Sequence, residues 1–132
     1  MREITELFKL VTDEHRVRML MLLDKKELSV CQLMGIIGAS QPLISRNLSL
    51  LYKGGLLQER RDGKLRFYSI RKNLQEDRAA FLDLLRNLVQ PNQKYQDDLA
   101  TLKECSAFQK KVGKCDMETL KLFMRRHEKN QV

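Results

Sequence analysis

Three thiols, two imidazoles and a tight group of guanidiniums are the side chains in this sequence most able to do chemistry. The thiols are Cys31, Cys105 and Cys115. An odd number of cysteines argues against a disulfide framework, as does an N-terminus, Met1 to Lys9, with acidic residues and no signal-peptide core. The expected location is cytoplasmic. Cys105 and Cys115 are too far apart for a compact metal motif, and joining them to Cys31 requires the C-terminal segment to fold back. Three readings stay open. One is a site for a soft metal or metalloid that includes Cys31. Another is a redox switch in which two thiols pair on oxidation. The third is three unrelated thiols, with Cys31 a small buried hydrophobe. His15 and His127 both read as surface residues. With two histidines, no phosphate-cradling glycine loop and no Ser/His/Asp arrangement, the sequence gives no reason to expect an enzyme.

The guanidiniums point to a different chemistry. Arg60, Arg61, Lys64 and Arg66 surround Asp62-Gly63, a strong hairpin turn signal. Four cations on a projecting hairpin repel one another, and an adjacent phosphate backbone explains them through counterion release. The plainer alternative is a hairpin whose charge only balances Glu59 and Asp62. The whole chain agrees with a polyanionic partner: its formal charge is +8 over 132 residues, with a pI near 9.6. Nucleic acid is the usual polyanion and an anionic membrane surface the other. No apolar run approaches the ~20 residues that span a bilayer, so no membrane partner is expected.

These groups need elements to hold them. Ile4, Leu7, Phe8 and Val11 recur at helical spacing. Thr12 or Asp13 can cap a second helix that carries Val17, Leu20, Met21 and Leu23 inward. Ser29 suits the N-cap of a third, with Val30, Leu33, Met34 and Ile37 inward and Gly38 at its end. Ser40 suits the N-cap of a fourth, with Pro42 tolerated in its first turn and Ile44, Leu48 and Leu51 inward. Gly54-Gly55 stops it. The period then becomes extended, with one strand from Leu56 to Arg61 and another from Lys64 to Ile70. Helical spacing returns at Phe81, Leu84, Leu85 and Leu88, and Pro91 closes that helix. Tyr95, Leu99 and Leu102 suggest another, and Met117, Leu120, Phe123 and Met124 a last one.

The order is that of a winged helix-turn-helix: a mainly α fold with a β-hairpin wing (α+β) and a C-terminal helical extension. We expect a DNA-binding and dimerisation domain over 1–90 and the extension over 91–132. The fourth helix turns Gln41, Ser45, Arg46 and Ser49 outward, joined by Ser40 and Asn47, and these types can bond base edges or phosphate. Lys53 lies near the helix end and suits phosphate. Two apolar stripes flank this unit: Ile4, Leu7, Phe8 and Val11, then Phe81, Leu84, Leu85 and Leu88. Together they exceed the need of one small core and predict a two-fold homodimer.

The sequence resembles the ArsR/SmtB family of metal-responsive repressors. The resemblance rests on Glu27-Leu28-Ser29-Val30-Cys31-Gln32-Leu33, on Ser40-Gln41-Pro42-Leu43-Ile44-Ser45-Arg46-Asn47-Leu48, and on Gly55-Leu56-Leu57 with the basic wing. It implies a homodimer that holds a double-stranded operator until an inducer releases it. Asn47 stands where the family often has His. Arsenic-responsive members carry cysteine at the positions of Ser29 and Cys31, so As(III) or another thiophilic metal or metalloid is the implied inducer, with Cys31 needing help from Cys105 or Cys115. A zinc site of the kind other members hold lacks histidine here, since residues 73–89 offer only Glu76, Asp77 and Asp83. A redox-sensing repressor and a protein-interaction adaptor are the alternatives.

Overall fold

A computed structural model describes residues 1–112 and 120–125. The chain runs α1 (Arg2–Lys9), α2 (Glu14–Lys25), β1 (Leu28–Ser29), α3 (Val30–Ile37), α4 (Gln41–Lys53), β2 (Leu57–Asp62), β3 (Leu65–Ile70), α5 (Glu76–Val89) and α6 (Gln93–Val112). Residues 120–125 are helical as well. Cys115, Met117 and His127 lie outside the described residues. Among those described, no helix is long and apolar enough to cross a membrane.

Local chemistry sets the helix boundaries. Asp13, rather than Thr12, caps α2 and accepts from the Arg16 amide at 3.2 Å. Ser29 begins α3 with a full capping box: its hydroxyl accepts from the Gln32 amide, and the Gln32 side chain accepts from the Ser29 amide at 2.8 Å. Gly38 ends α3 at φ +76°, a conformation that glycine adopts without strain. Ser40 caps α4, with Pro42 in its first turn. The Asn92 carboxamide accepts from the amides of Lys94 and Tyr95 and so opens α6 after the Pro91 break. Such caps contribute ~1 kcal/mol each.

The hairpin departs from expectation by one position. Asp62 pairs with Leu65, so the two turn residues are Gly63 and Lys64 rather than Asp62 and Gly63. Gly63 takes φ +62°, and among the described residues only glycines have positive φ. A turn with glycine first needs only one such residue, whereas Asp-Gly as the central pair would need two. The two-residue strand β1 is an addition to the expected elements. It pairs antiparallel with β3, Leu28 opposite Tyr68 and Ser29 opposite Phe67, giving a three-stranded sheet in the order β1-β3-β2.

The core gathers Met19 to Leu23 of α2, Leu28, Leu33, Ile44, Leu48, Leu51, Leu56, Leu57 and Leu82. The extension joins this core through Leu102, Cys105, Leu120 and Phe123. Its packing changes the reading of α3: Gln32, Gly35 and Ile36 are buried along with Leu33 and Met34, while the expected Val30 and Ile37 are only half-buried. α3 is covered on its outer side, where a Cβ added at Gly35 would sit 2.6 Å from Leu120 Cδ1. Polar contacts fasten the same seam. Arg18 of α2 grips Asp98 of α6 through two bonds of 2.9 Å, and Gln32 donates to Gln109. The paired carboxylate raises the Arg18 pKa further still, against the effect of burial.

Candidate nucleic-acid interface

The outer face of α4 and the wing enclose a cleft of about 570 Å³. Gln41, Ser45, Ser49 and Tyr52 line it from α4, Glu59, Lys64, Arg66 and Tyr68 from the hairpin, and Ser29, Cys31 and Met34 from the start of α3. Gln41, Ser45 and Ser49 recur every fourth residue, which places them in one row. Arg46 and Lys53 are exposed beside that row, and Ser40 is exposed at the helix start. The arrangement is a row of hydrogen-bonding side chains beside a cationic hairpin. Such a surface can bond base edges with its amide, hydroxyl and guanidinium groups and neutralise phosphate with its ammonium and guanidinium groups.

Two expected members are displaced. Asn47 is only 2% exposed, and its Oδ1 accepts from Arg16 Nη1 at 3.2 Å, so it faces the interior and not a partner. Its position follows from the helical period, since it falls between Ile44 and Leu48 on the inward side. Arg60 is turned back on the wing root. Its guanidinium donates to Glu27, with Nη2 2.7 Å from Oε1, and stacks on the Phe67 ring at 4.6 Å. That partner holds the Glu27 carboxyl below the usual glutamate range. Arg61 and Arg66 lean on Glu59 at 3.2 Å and 3.9 Å. Lys64, at the tip, has no carboxylate partner among the described residues and is exposed. The balancing of wing charge by carboxylates is therefore real for Arg60, Arg61 and Arg66: Glu27 and Glu59 pair with them directly, and Asp62 acts on Arg60 through its charge.

Sequence reasoning missed Tyr52 and Glu59. Tyr52 lies seven positions after Ser45, so the helical row extended by one turn would have found it. Glu59 had a local signal only as a counter-charge. In the cleft it also accepts from the Tyr68 hydroxyl at 3.5 Å. Burial and the Glu59 charge push the Tyr68 phenol up, keeping it a neutral donor.

The thiols divide. Cys31 is half-buried and lines the cleft, whereas Cys105 is 3% exposed inside the core. Met34 is 9% exposed and packs with the core. Among the described residues, no three His, Cys, Asp or Glu side chains group as a metal site. His15 is partly exposed, 3.8 Å from Asp13.

The apolar stripes meet each other. Phe8 of α1 packs edge-on against Phe81 of α5, with ring centroids 5.2 Å apart. Leu7 and Phe81 are buried, and Val11 and Leu85 half-buried. Ile4, Phe8, Leu84 and Leu88 remain 52, 50, 49 and 67% exposed.

Two helices joined by a tight turn, a polar row on the second and a basic hairpin beside it define a winged helix-turn-helix. Residues 13–59 match the model of the arsR family of bacterial regulatory proteins. The arsenical resistance operon repressor of Escherichia coli (strain K12) is 39% identical over 79 residues, covering 59% of this chain and 68% of the relative. Among solved structures, HlyU from Vibrio cholerae N16961 superimposes with a TM-score of 0.58 at 29% identity, over 66% of this chain and 91% of that one. The homodimeric winged helix-turn-helix DNA-binding domain Mb0332 from Mycobacterium bovis gives a TM-score of 0.57 at 26% identity, over 70% and 82%. The chain belongs to the arsR family of transcriptional regulators and is not an enzyme.

Proposed function

We propose that this protein is a homodimeric repressor that binds a two-fold DNA operator and lets go when a thiophilic inducer engages Cys31. The carrying observation is the exposed row Gln41, Ser45 and Ser49, with Arg46 beside it, facing a cleft closed by Lys64 and Arg66. The row suits the major groove, and the hairpin suits the flanking backbone. The apolar residues left exposed on α1 and α5 suit a two-fold partner, which would place two such rows on one face of a duplex.

The DNA part is tested by two substitutions that should fail differently. Arg46→Ala removes a bidentate donor, and should cost ~1–3 kcal/mol on the selected duplex while leaving binding to random duplex almost unchanged. Lys64→Ala should weaken both duplexes alike and lower the salt slope by about one. Titrations by fluorescence anisotropy at several salt concentrations separate the two. Equal effects of Arg46→Ala on selected and random duplex would remove Arg46 from the reading face.

The inducer reading is supported by where Cys31 lies. It shares the cleft with Gln41, Ser45, Lys64 and Arg66, so a bulky or charged adduct on its sulfur competes with DNA for the same space. The E. coli relative is an arsenical resistance operon repressor, which makes arsenite the first ion to try. The described residues offer one thiol in the cleft, and three thiolates hold trivalent arsenic well, so Cys31 requires another thiol of the chain or a small-molecule thiol to complete the set. Arsenite should release duplex from the wild type but not from Cys31→Ser. If Cys31→Ser releases DNA at the same arsenite concentration as the wild type, Cys31 is not the sensing thiol.

A further inference from the structure

Helix α4 is gripped at two points by arginines, and each arginine ties it to one helix of the apolar face. Arg16, on α2, donates from Nε to the Leu10 carbonyl at 2.8 Å and from Nη2 to the Lys9 carbonyl at 3.3 Å. Those carbonyls belong to the C-terminal end of α1, where a cation is favoured. The same guanidinium donates from Nη1 to Asn47 Oδ1, in the middle of α4 and away from solvent. Arg78, on α5, donates from Nε to the Gly54 carbonyl at 2.8 Å and from Nη1 to Gln75 Oε1 at 2.6 Å. Gly54 is the C-cap of α4.

The backbone at this second grip is close-packed. A Cβ added at Gly54 would lie 2.4 Å from Leu10 Cδ1, and one at Gly55, where φ is +81°, would lie 3.0 Å from Arg78 Nε. The end of α4 is thus wedged between the end of α1 and the start of α5. Neither arginine lines the cleft, and neither reaches the DNA-facing row.

We propose that Arg16 and Arg78, through Asn47 and the Gly54 carbonyl, are positioning residues that fix the angle of the recognition helix to the dimer face. They thereby set which spacing of two half-sites the dimer accepts. The proposal rests on the dimeric DNA-binding reading above. Its physical basis is that hydrogen bonds are directional, so bonds at the middle and the end of α4 fix its angle more tightly than the non-directional packing of Ile44, Leu48 and Leu51 does alone. A swing that moves the helix by ~3.4 Å along the duplex is one base-pair step. Small losses of directional hydrogen bonding are therefore enough to blur spacing.

The test uses the full chain and a duplex of about 30 base pairs that the wild type selects from a random pool, together with versions carrying one or two extra base pairs at the centre. The wild type should discriminate against the longer duplexes by about tenfold or more. Asn47→Leu, which keeps the branched outline but removes the acceptor, and Arg78→Gln should both remain dimers by sedimentation. Both should bind random duplex within about twofold of wild type, yet discriminate spacing by no more than about twofold. Asn47→Asp retains an acceptor for Arg16 and should keep the wild-type ratio. If the Asn47→Leu variant does not fold, Arg78→Gln decides alone, since Arg78 sits at the partly exposed start of α5. Wild-type spacing discrimination in the folded acceptor and donor variants overturns the proposal and leaves the dimeric reading intact. No spacing discrimination in the wild type itself overturns both.

Discussion

The double substitution Phe8→Asp and Leu84→Asp should give a folded monomer that has lost its operator. Both side chains are half exposed in the single chain, so charge is tolerated there in the absence of a partner. In the proposed dimer each occurs twice, and burying an apolar side chain of this size contributes ~1.5–3 kcal/mol. Four carboxylates at that seam remove the apolar gain and add repulsion. Operator affinity should then fall by ~10²–10⁴, the advantage of holding two half-sites at once. Phe81→Asp, the change that the apolar spacing alone recommends, is a poorer probe. Phe81 is 7% exposed under Phe8, so a carboxylate there would damage the fold as well. Sedimentation at micromolar protein, far-ultraviolet dichroism and duplex titration together read the result. A stable dimer of the double variant would move the interface elsewhere.

Asp98→Ala should be the most damaging single change in the extension, at ~3 kcal/mol. The Asp98 side chain is 5% exposed and that of Arg18 13%. Removing the carboxylate leaves a guanidinium, which does not deprotonate, 13% exposed and without its bidentate partner. Replacing both partners with apolar residues, Arg18→Met with Asp98→Leu, should recover most or all of the loss, because neither member of the pair is then left as a largely buried charge without its partner. Urea midpoints for the two singles and the double check this. A small loss on Asp98→Ala, below ~1 kcal/mol, would mean that water reaches Arg18 and that α6 is held by its apolar contacts alone.

Much of this arrangement is legible in the residues. Ser29, Ser40, Gly38 and Pro42 mark helix ends by chemistry that depends on neighbours within four positions, and each does what its type requires. The polar row on α4 is legible for the same reason, being a property of one helix. Asn47 is misplaced when a family correspondence is given more weight than the period: residues 44, 47, 48 and 51 form one inward stripe, and asparagine does not look like a member until a half-buried arginine is known to meet it. Arg60 is misread for a similar reason. Its partners, Glu27 and Phe67, come together only when the hairpin folds back beside the α2–β1 turn, a distance of 33 positions from Glu27. The burial of α3 on its outer side is not visible in the sequence either. It depends on α6 and on residues 120–125, which meet α3 through Gln32–Gln109 and at Gly35, while Arg18–Asp98 ties α6 to α2; none of these carries a periodic signal. The turn slips by one position because Asp-Gly and Gly-Lys both suit two-residue loops, and strand pairing rather than turn propensity chooses between them.

The two-residue strand β1 has a consequence for solubility. β3 is the most apolar of the three strands, and it lies in the middle of the sheet, with neighbours on both sides. The free rims are β1, too short to template another chain, and β2, whose run Gln58-Glu59-Arg60-Arg61-Asp62 is charged almost throughout. A rim of that kind discourages the edge-to-edge pairing that open hairpins invite. The wing can therefore stand out from the body, as its task demands, without becoming a seed for aggregation at the concentrations a crowded cell imposes.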